Sequence, residues 1–278
     1  MSKAITPPKN AQAGDIRTML GRTRPDAVTV LDVRQDWEYE EFHLPGAVHL
    51  PLADLEDRMG EVPRDKPLVI YCHSGRRSAA AASLLASEGH PDVTNMLGGI
   101  MAWKGGTAVG GPDTGMQHYR GDETPDEILA LAFAMERELG AFYEGLAAGS
   151  QYEELRTTFK QLAGFEGKHK LVVYHLYKSL HPESASIEDL ASKAVAKVME
   201  GGRAAGEVLA EAEGFEQAHD ALDMAMGVEA QALDLYMRYA AVAGSVEAVD
   251  TLHQLANEER GHLRALATLM DKLGEKKS

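Results

Sequence analysis

Cysteine is almost absent from this chain, in which Cys72 is the only cysteine among 278 residues. A lone thiol cannot build a disulfide framework, a thiolate zinc site or a four-thiolate iron centre. A free thiol is typical of proteins that stay in a reducing compartment. We therefore expect a cytoplasmic protein in which Cys72 acts as a single thiol, without a second cysteine of the chain.

Long apolar runs and an excess of positive charge are also missing. No apolar run reaches the ~20 residues that cross a bilayer, and the opening MSKAITPPKN lacks the apolar core of a secretory signal. The net charge is −15, so binding a nucleic acid and releasing its counterions brings no gain. The sequence predicts neither a membrane protein nor a nucleic-acid-binding protein.

The length and the order of apolar patterns predict two domains, because 278 residues exceed one ordinary core. Short apolar runs at 28–33 and 67–72, and a weaker one at 92–97, alternate with helical stretches. This alternation is typical of a parallel sheet covered by helices. We predict an α/β domain over 1–106, followed by a Gly-rich linker over 107–123.

The rest of the chain, 124–278, reads as a four-helix bundle. It begins with T-P-D-E, in which Thr124 is placed to cap a helix and Glu127 to complete a capping box. The predicted helices cover 124–148, 151–180, 217–243 and 246–273, with a shorter helical piece over about 186–212. Residues 121–278 carry 28 acidic against 15 basic residues. This excess indicates either a solvated helical surface or carboxylates gathered around cations.

Cys72 ends the apolar run 67–72 and is followed by the loop H-S-G-R-R and then a helix. In this position the thiol meets converging backbone N–H groups at the positive end of a helix. Arg76 and Arg77 add positive charge nearby. These effects favour the thiolate, so we predict a lowered pKa and a nucleophilic Cys72 rather than a buried, inert cysteine.

Four motifs surround this loop in the first domain. They are L-D-V-R-Q-D-W-E-Y (31–39), F-H-L-P-G-A-V-H-L-P (42–51), V-I-Y-C-H-S-G-R-R-S (69–78) and L-G-G-I-M-A-W (97–103). Together they resemble a single-domain rhodanese, a sulfurtransferase with a central parallel sheet and flanking helices. The resemblance implies that Cys72 and Arg77 are catalytic, and that Cys72 carries a persulfide sulfur from a sulfane-sulfur donor to a thiol acceptor.

The resemblance also assigns supporting roles. The loop that cradles the sulfur consists of His73, Ser74, Gly75 and Arg76. The residues that stabilise the fold are Asp32, Arg34, Glu38 and His43. The residues that pack the closing turn are Gly98, Gly99 and Trp103. His73 stands where the family often has Arg or Lys, so the preferred sulfur donor stays open.

The loop length separates two chemistries on this scaffold. Phosphatases related to rhodaneses wrap a phosphate with a C-x5-R loop, whereas Cys72 and Arg77 form the shorter C-x4-R. A tighter cradle suits a single sulfur atom. The sequence therefore favours sulfur transfer over phosphate hydrolysis.

The helical half contains an internal repeat with an offset of 93 residues. Each copy has a glutamate in an apolar helical stretch and, thirty residues later, a Glu-x-x-His pair. The members are Glu136, Glu166 and His169 in the first copy and Glu229, Glu259 and His262 in the second. A single Glu-x-x-His is ordinary on an exposed helix, but this duplicated set matches the ligands of a dimetal carboxylate site in a bundle. Tyr143 and Tyr236 share the offset, and they either hydrogen-bond the ligands or fill the core.

Over 124–273 this half resembles the rubrerythrin and ferritin-like di-iron family. The resemblance implies that the six duplicated residues hold two iron ions, with manganese and zinc as alternatives, and that oxygen or peroxide reacts there. Typical rubrerythrins receive electrons from a four-cysteine rubredoxin centre, which this chain cannot form with a single cysteine. An external electron donor, or a sulfur species, is therefore expected.

The sequence thus predicts a rhodanese-like sulfurtransferase fused to a rubrerythrin-like di-iron oxidoreductase in sulfur or peroxide metabolism. Two alternatives stay open: a non-catalytic protein that stores or relays iron or sulfur, and a rhodanese module that only binds partners. Uptake of many ferrous ions would indicate storage, and uptake of about two would indicate a dimetal enzyme. Bundles of this kind often pair, so a homodimer is also considered.

Overall fold

The chain folds into two compact units that divide between Pro112 and Asp113, inside the predicted linker. The computed structural model describes residues 6–183, 185–196, 198–212 and 215–276. No described helix is both long enough and apolar enough to cross a membrane.

The first unit is built on a five-stranded sheet with the order β1-β5-β4-β2-β3, in which all pairings are parallel. The strands are β1 (Lys9–Gln12), β2 (Thr29–Asp32), β3 (Val48–His49), β4 (Leu68–Tyr71) and β5 (Val93–Leu97). The three predicted strands are present as β2, β4 and β5. The two edge strands were not predicted, because β1 is a polar, largely exposed segment and β3 has only two residues.

Helices cover this sheet, which gives the predicted α/β rhodanese architecture. They are α1 (Ala13–Arg22), α2 (Asp36–Glu41), α3 (Leu55–Arg58) and α4 (Arg76–Ser87). Every residue of the central strands β2 and β4 is buried, as expected for strands packed on both faces. Cys72 follows β4 directly, so it lies at the carboxyl edge of the sheet, where open parallel sheets bind ligands.

The second unit contains the predicted four-helix bundle. Its long helices are α5 (Pro125–Gly149), α6 (Glu153–Leu180), α9 (Ala218–Ala240) and α10 (Val246–Lys276). Helix α5 starts with the predicted capping box, in which Thr124 Oγ1 accepts from the Glu127 N–H and the Glu127 carboxylate accepts from the Thr124 N–H. Helix α5 pairs with α6, and α9 pairs with α10.

The connector between α6 and α9 differs from the prediction of one helical piece over about 186–212. It consists of α7 (Ile187–Lys193), a 3-10 turn (Glu200–Gly202) and α8 (Ala205–Ala212). Gly201 and Gly202 adopt φ values of +75° and +78°, which an α-helix cannot contain. The prediction of continuous helix is therefore wrong at this pair of glycines.

Two apolar clusters fill the bundle, and the duplicated glutamates lie between them. On α5, Phe133 belongs to one cluster and Leu139 to the other, with Glu136 in between. On α9, Val228 and Ala232 flank Glu229 in the same way. The core thus has a polar layer between two apolar layers, and burial alone would disfavour such a layer.

Candidate functional site

The Cys72 sulfur lies in a ring of hydrogen-bond donors supplied by its own loop. Cys72 is 1% exposed, and its Sγ accepts hydrogen bonds from the Gly75 N–H at 3.1 Å and from the Ser78 hydroxyl at 3.5 Å. Burial raises the pKa of the thiol. The Ser78 hydroxyl and the backbone N–H groups of Ser78, Ser74 and Gly75 together lower this pKa by more than burial raises it. The net effect is a pKa below the ordinary value for a cysteine, which favours the nucleophilic thiolate.

Two glycines allow the loop to close around the sulfur. Gly75 has φ +93° and precedes α4, so its N–H turns toward Cys72. Gly99 has φ +57°, and a Cβ there would lie 2.3 Å from the Cys72 carbonyl oxygen. The Ile100 N–H donates to that same carbonyl at 2.8 Å. The turn after β5 is therefore packed directly against the Cys72 backbone.

The side chains predicted for the cradle divide into two groups. Ser74 and Gly75 act through their backbone N–H groups, whereas His73 and Arg76 are exposed. The Arg77 guanidinium donates two hydrogen bonds of 2.6 Å to the Glu38 carboxylate. These bonds hold the pKa of Glu38 down at about 2. Arg77 on α4 is thus bound to Glu38 on α2, and this ion pair connects the two helices.

The predicted fold-stabilising residues include a buried ion pair behind the site. Arg34 binds the Asp32 carboxylate through Nε and Nη2 at 2.7–3.0 Å, and its Nη2 also donates to the Phe42 carbonyl at 2.6 Å. Both side chains are almost fully buried. A buried charge pair of this kind is sensitive to the loss of one partner, because the other is left uncompensated.

Ser78 was not assigned a role from the sequence, although it closes the motif around Cys72. Its single hydroxyl proton is shared between Asn95 Oδ1 at 2.7 Å and Cys72 Sγ at 3.5 Å, and the Asn95 amide donates to Asn10 Oδ1 at 2.9 Å. Ser78 and Asn95 are buried. These amides fix the position of the hydroxyl that faces the Cys72 sulfur. The signal available in the sequence is only a serine six residues after the cysteine.

In the second unit the structure brings together all six residues of the duplicated set. His169 Nδ1 lies 3.0 Å from Glu166 and 3.6 Å from Glu136. The second copy repeats this arrangement, with the Nδ1 of its histidine 2.8 Å from one glutamate and 3.0 Å from the other. Those residues are His262, Glu259 and Glu229. The two imidazoles stack with ring centroids 3.3 Å apart, so the copies meet face to face.

The ligand atoms of these residues fall into compact groups within 4.8 Å of one another. The groups are Glu136, Glu166 and His169; His169, Glu229 and His262; and Glu136, Glu200 and Glu259. The four helix glutamates are at most 3% exposed. Oxygen and imidazole nitrogen ligands in such groups suit iron, manganese or zinc.

The charges of this cluster are not balanced by the protein alone. Burial and the neighbouring carboxylates raise the pKa of Glu136 and of Glu259 well above the ordinary value. Burial disfavours the Glu229 anion as well, but hydrogen bonding to His262 lowers its pKa. Glu136 Oε2 has no hydrogen-bond partner among the described residues. A buried carboxylate oxygen without a hydrogen bond fits a centre that is completed by cations.

Glu200 is the member of this cluster that the sequence pattern did not single out. It lies in the 3-10 turn of the connector, is 1% exposed and accepts a hydrogen bond from the Tyr236 hydroxyl at 3.1 Å. Burial and the carboxylates of Glu229 and Glu166 raise its pKa to about 8. The signal in the sequence is one acid before two glycines, which indicates a turn and not a ligand.

The two tyrosines related by the repeat behave differently. Tyr236 donates to Glu200, whereas the buried Tyr143 hydroxyl has no hydrogen-bond partner among the described residues. Burial and the nearby carboxylates raise the pKa of Tyr143, so its phenol keeps its proton. The hydrogen bond of Tyr236 thus goes to Glu200, which lies outside the repeat, and both rings also fill the core.

Comparison with protein families separates the same two regions. The rhodanese-like domain family matches residues 13–105, and the rubrerythrin family matches residues 127–270. The second match covers the four helices that carry the duplicated set. Iron binding, typically of two ions, is implied by that family, and the carboxylate and histidine groups described above fit it.

Curated relatives match the first region. A sulfurtransferase of Allochromatium vinosum is 41% identical over 76 residues, which are 27% of this chain and 71% of that protein. The thiosulfate sulfurtransferase GlpE of Pseudomonas syringae is 35% identical over 98 residues, 35% of this chain and 84% of that protein. The putative sulfur carrier protein YrkF of Bacillus subtilis is 42% identical over 82 residues, 30% of this chain and less than half, 44%, of that protein.

Among solved structures, a rhodanese-like domain protein from Staphylococcus aureus shares 28% identity over 34% of this chain and 90% of its own, with a TM-score of 0.32. The family matches cover the two regions in which the two candidate sites lie. The chain is therefore a member of the rubrerythrin family that carries a rhodanese-like sulfurtransferase domain ahead of its helical bundle.

Proposed function

We propose that this protein is a two-site enzyme of sulfur or peroxide metabolism. Cys72 accepts sulfane sulfur, from thiosulfate or a similar donor, and passes it to a thiol. The bundle acts as a di-iron oxidoreductase that reduces peroxide or oxygen with electrons from an external donor. The observation that carries the oxidoreductase part is the buried cluster of duplicated glutamates and histidines, in which one carboxylate oxygen has no hydrogen bond among the described residues.

The sulfur-transfer half follows from the donors around Cys72. The thiolate attacks the outer sulfur of thiosulfate, a new S–S bond forms, and the old S–S bond breaks as sulfite leaves with its electron pair. An acceptor thiolate then attacks the outer sulfur of the persulfide, and the electron pair of the broken bond returns to Cys72 Sγ. The N–H groups of Ser74 and Gly75 and the Ser78 hydroxyl stabilise the negative sulfur at both stages.

The dimensions of the loop support sulfur as the transferred group. The space around Cys72 Sγ is bounded by the backbone of a C-x4-R loop, and Gly99 lies so close that a Cβ would meet the Cys72 carbonyl. A phosphate would need the Arg77 guanidinium as a partner. Both terminal nitrogens of this guanidinium already donate to the Glu38 carboxylate. Phosphate hydrolysis is therefore disfavoured.

In the bundle, the six duplicated residues would hold two iron ions. Iron bound there would supply the electron transfer to peroxide or oxygen. The protein contributes a dry setting, because apolar clusters lie on both sides of the polar layer. It also contributes a buried hydrogen-bond donor, since the Tyr143 phenol keeps its proton and has no acceptor among the described residues.

Two assays on the full-length protein test this proposal. After incubation with thiosulfate, mass spectrometry should show the addition of one sulfur atom to Cys72, and none in Cys72→Ser. The iron-loaded protein should consume peroxide when a reductant is added, and His262→Ala should lose that activity. Phosphatase turnover without a persulfide would contradict the first half, and peroxide consumption that His262→Ala retains would contradict the second.

A further inference from the structure

Glu200 lies outside the internal repeat, in the connector between the two copies. Its 3-10 turn is pressed against α9, since a Cβ on Gly201 would lie 2.9 Å from Gln231 Cγ and 3.1 Å from the Ala232 nitrogen. The left-handed conformation of Gly201 and Gly202 permits this approach. The connector thereby brings a carboxylate into the bundle at a place that the duplication leaves without one.

The surroundings of Glu200 are dominated by carboxylates: those of Glu229 and Glu166 oppose its negative charge, and the His262 imidazole offsets them only in part. Its Oε1 accepts the Tyr236 hydrogen bond, while its Oε2 has no hydrogen-bond partner among the described residues. A carboxylate oxygen of Glu200 lies within 4.8 Å of those of Glu136 and Glu259. A fully buried oxygen placed against two other carboxylates is costly, and a cation between the three removes that cost.

Glu200 also makes the two copies different. It groups with Glu136 from the first copy and Glu259 from the second. The 93-residue repeat contains no glutamate equivalent to Glu200. It also gives Tyr236 a partner that the equivalent Tyr143 does not have among the described residues. The four repeat glutamates balance two divalent cations, and Glu200 adds one more negative charge on one side.

We propose that Glu200 is an additional metal ligand, acting with Glu136 and Glu259, that makes the two metal positions of the centre unequal. This inference rests on the proposed function, because it requires the cluster to bind metal ions. A further carboxylate strengthens the binding of a divalent cation. The position that Glu200 serves is therefore the tighter one.

Titration of the metal-free, full-length protein with Zn²⁺, followed by calorimetry, tests this inference. The wild-type protein should bind zinc in two steps of unequal affinity. Glu200→Gln should weaken the tighter step at least about tenfold and leave the other within about threefold. Glu144→Gln, at an exposed position on α5, is the matched control and should change neither step.

A repeat ligand separates failure of this inference from failure of the proposed function. If Glu229→Gln loses a zinc step while Glu200→Gln binds like the wild type, Glu200 is not a ligand and the metal centre stands. If neither variant changes zinc binding, the bundle is not a metal centre, and both ideas are overturned.

Thermal melting distinguishes a ligand from a structural residue. Glutamine keeps the size of Glu200 and can accept the Tyr236 hydrogen bond, so metal-free Glu200→Gln should melt at or above the wild-type temperature. Its rise in Tm with zinc should be smaller. A lower metal-free Tm with an unchanged rise would contradict the inference. Should Glu200→Gln not fold, Tyr236→Phe keeps the carboxylate and should weaken the same zinc step by a smaller factor, and unchanged zinc binding there would also contradict it.

Discussion

The two candidate sites differ in how their negative charge is compensated. The Cys72 sulfur is surrounded by donors of its own loop, including the Gly75 N–H at 3.1 Å. In the bundle, carboxylates face one another, and oxygens of Glu136 and Glu200 have no hydrogen-bond partner among the described residues. The first site is electrostatically complete in the protein alone, whereas the proposed metal ions would complete the second.

Because of this difference, the two sites depend on different parts of the fold. A loop can present consecutive N–H groups to one anion, so the sulfur site needs only one strand end and one helix start. The carboxylate cluster needs side chains from four helices and a connector, held in place by the apolar layers on both sides. One site is local in sequence, and the other is assembled by tertiary structure.

The largest expected effect is the complete loss of one site's activity, while the other site keeps its own. Cys72→Ser should abolish sulfur loading and leave the bound metal unchanged, because none of the candidate metal-binding groups among the described residues includes Cys72. The double variant Glu166→Ala, His169→Ala should lose metal and still form the persulfide. Metal analysis and mass spectrometry of the same samples measure metal content and persulfide formation. A variant that loses both properties would show that the two sites depend on each other.

Metal removal should affect the two units unequally. The metal stabilises only the state that binds it, by about 2.7 kcal/mol at a free concentration one hundred times Kd. Chelation should therefore lower the Tm of the bundle by several degrees and leave the melting of the first unit in place. Calorimetric scans with and without chelator measure this, and equal shifts of both transitions would contradict the account.

In the first unit, Gly99→Ala should be destabilising by about 1–3 kcal/mol, because the added Cβ meets the Cys72 carbonyl at 2.3 Å. The matched control is Gly14→Ala in α1, where a Cβ meets no atom within 4 Å. That control should be neutral or stabilising by about 0.4–1 kcal/mol. Denaturant unfolding of both variants measures the difference, and equal stabilities would show that the turn does not press on the sulfur loop.

The smallest expected effect concerns the thiol itself. Ser78→Ala removes a hydrogen bond to the sulfur, so the pKa of Cys72 should rise and the thiolate fraction at neutral pH should fall. Alkylation by iodoacetamide near pH 7 should slow several-fold, and the difference should vanish at high pH. Ser83→Ala, on the exposed face of α4, is the control. An unchanged rate profile for Ser78→Ala would remove the hydroxyl from the cradle.

The features predicted from the sequence are those with a local or repeated signature. The apolar runs of β2, β4 and β5 and the four long helices were predicted because burial imposes a regular pattern. Cys72 stands out through its loop, and the six duplicated residues through a common offset. Metal ligation by those six stays a prediction, although the structure brings them together.

What the sequence did not show depends on tertiary contacts. The edge strands β1 and β3 have no apolar pattern of their own, because their order comes from pairing with neighbours. Arg77 looks like a partner of the sulfur until Glu38, distant in sequence, is placed beside it. Glu200 belongs to no motif, and its burial depends on a glycine pair that lets the connector reach α9.

The most direct test of the metal centre is the metal content of the full-length protein purified without oxygen, compared with His262→Ala. The account predicts about two iron ions per wild-type chain, no further uptake when ferrous iron is in excess, and a clear loss in the variant. A wild-type protein that holds no metal, or that takes up many ions with the histidine removed, would contradict it.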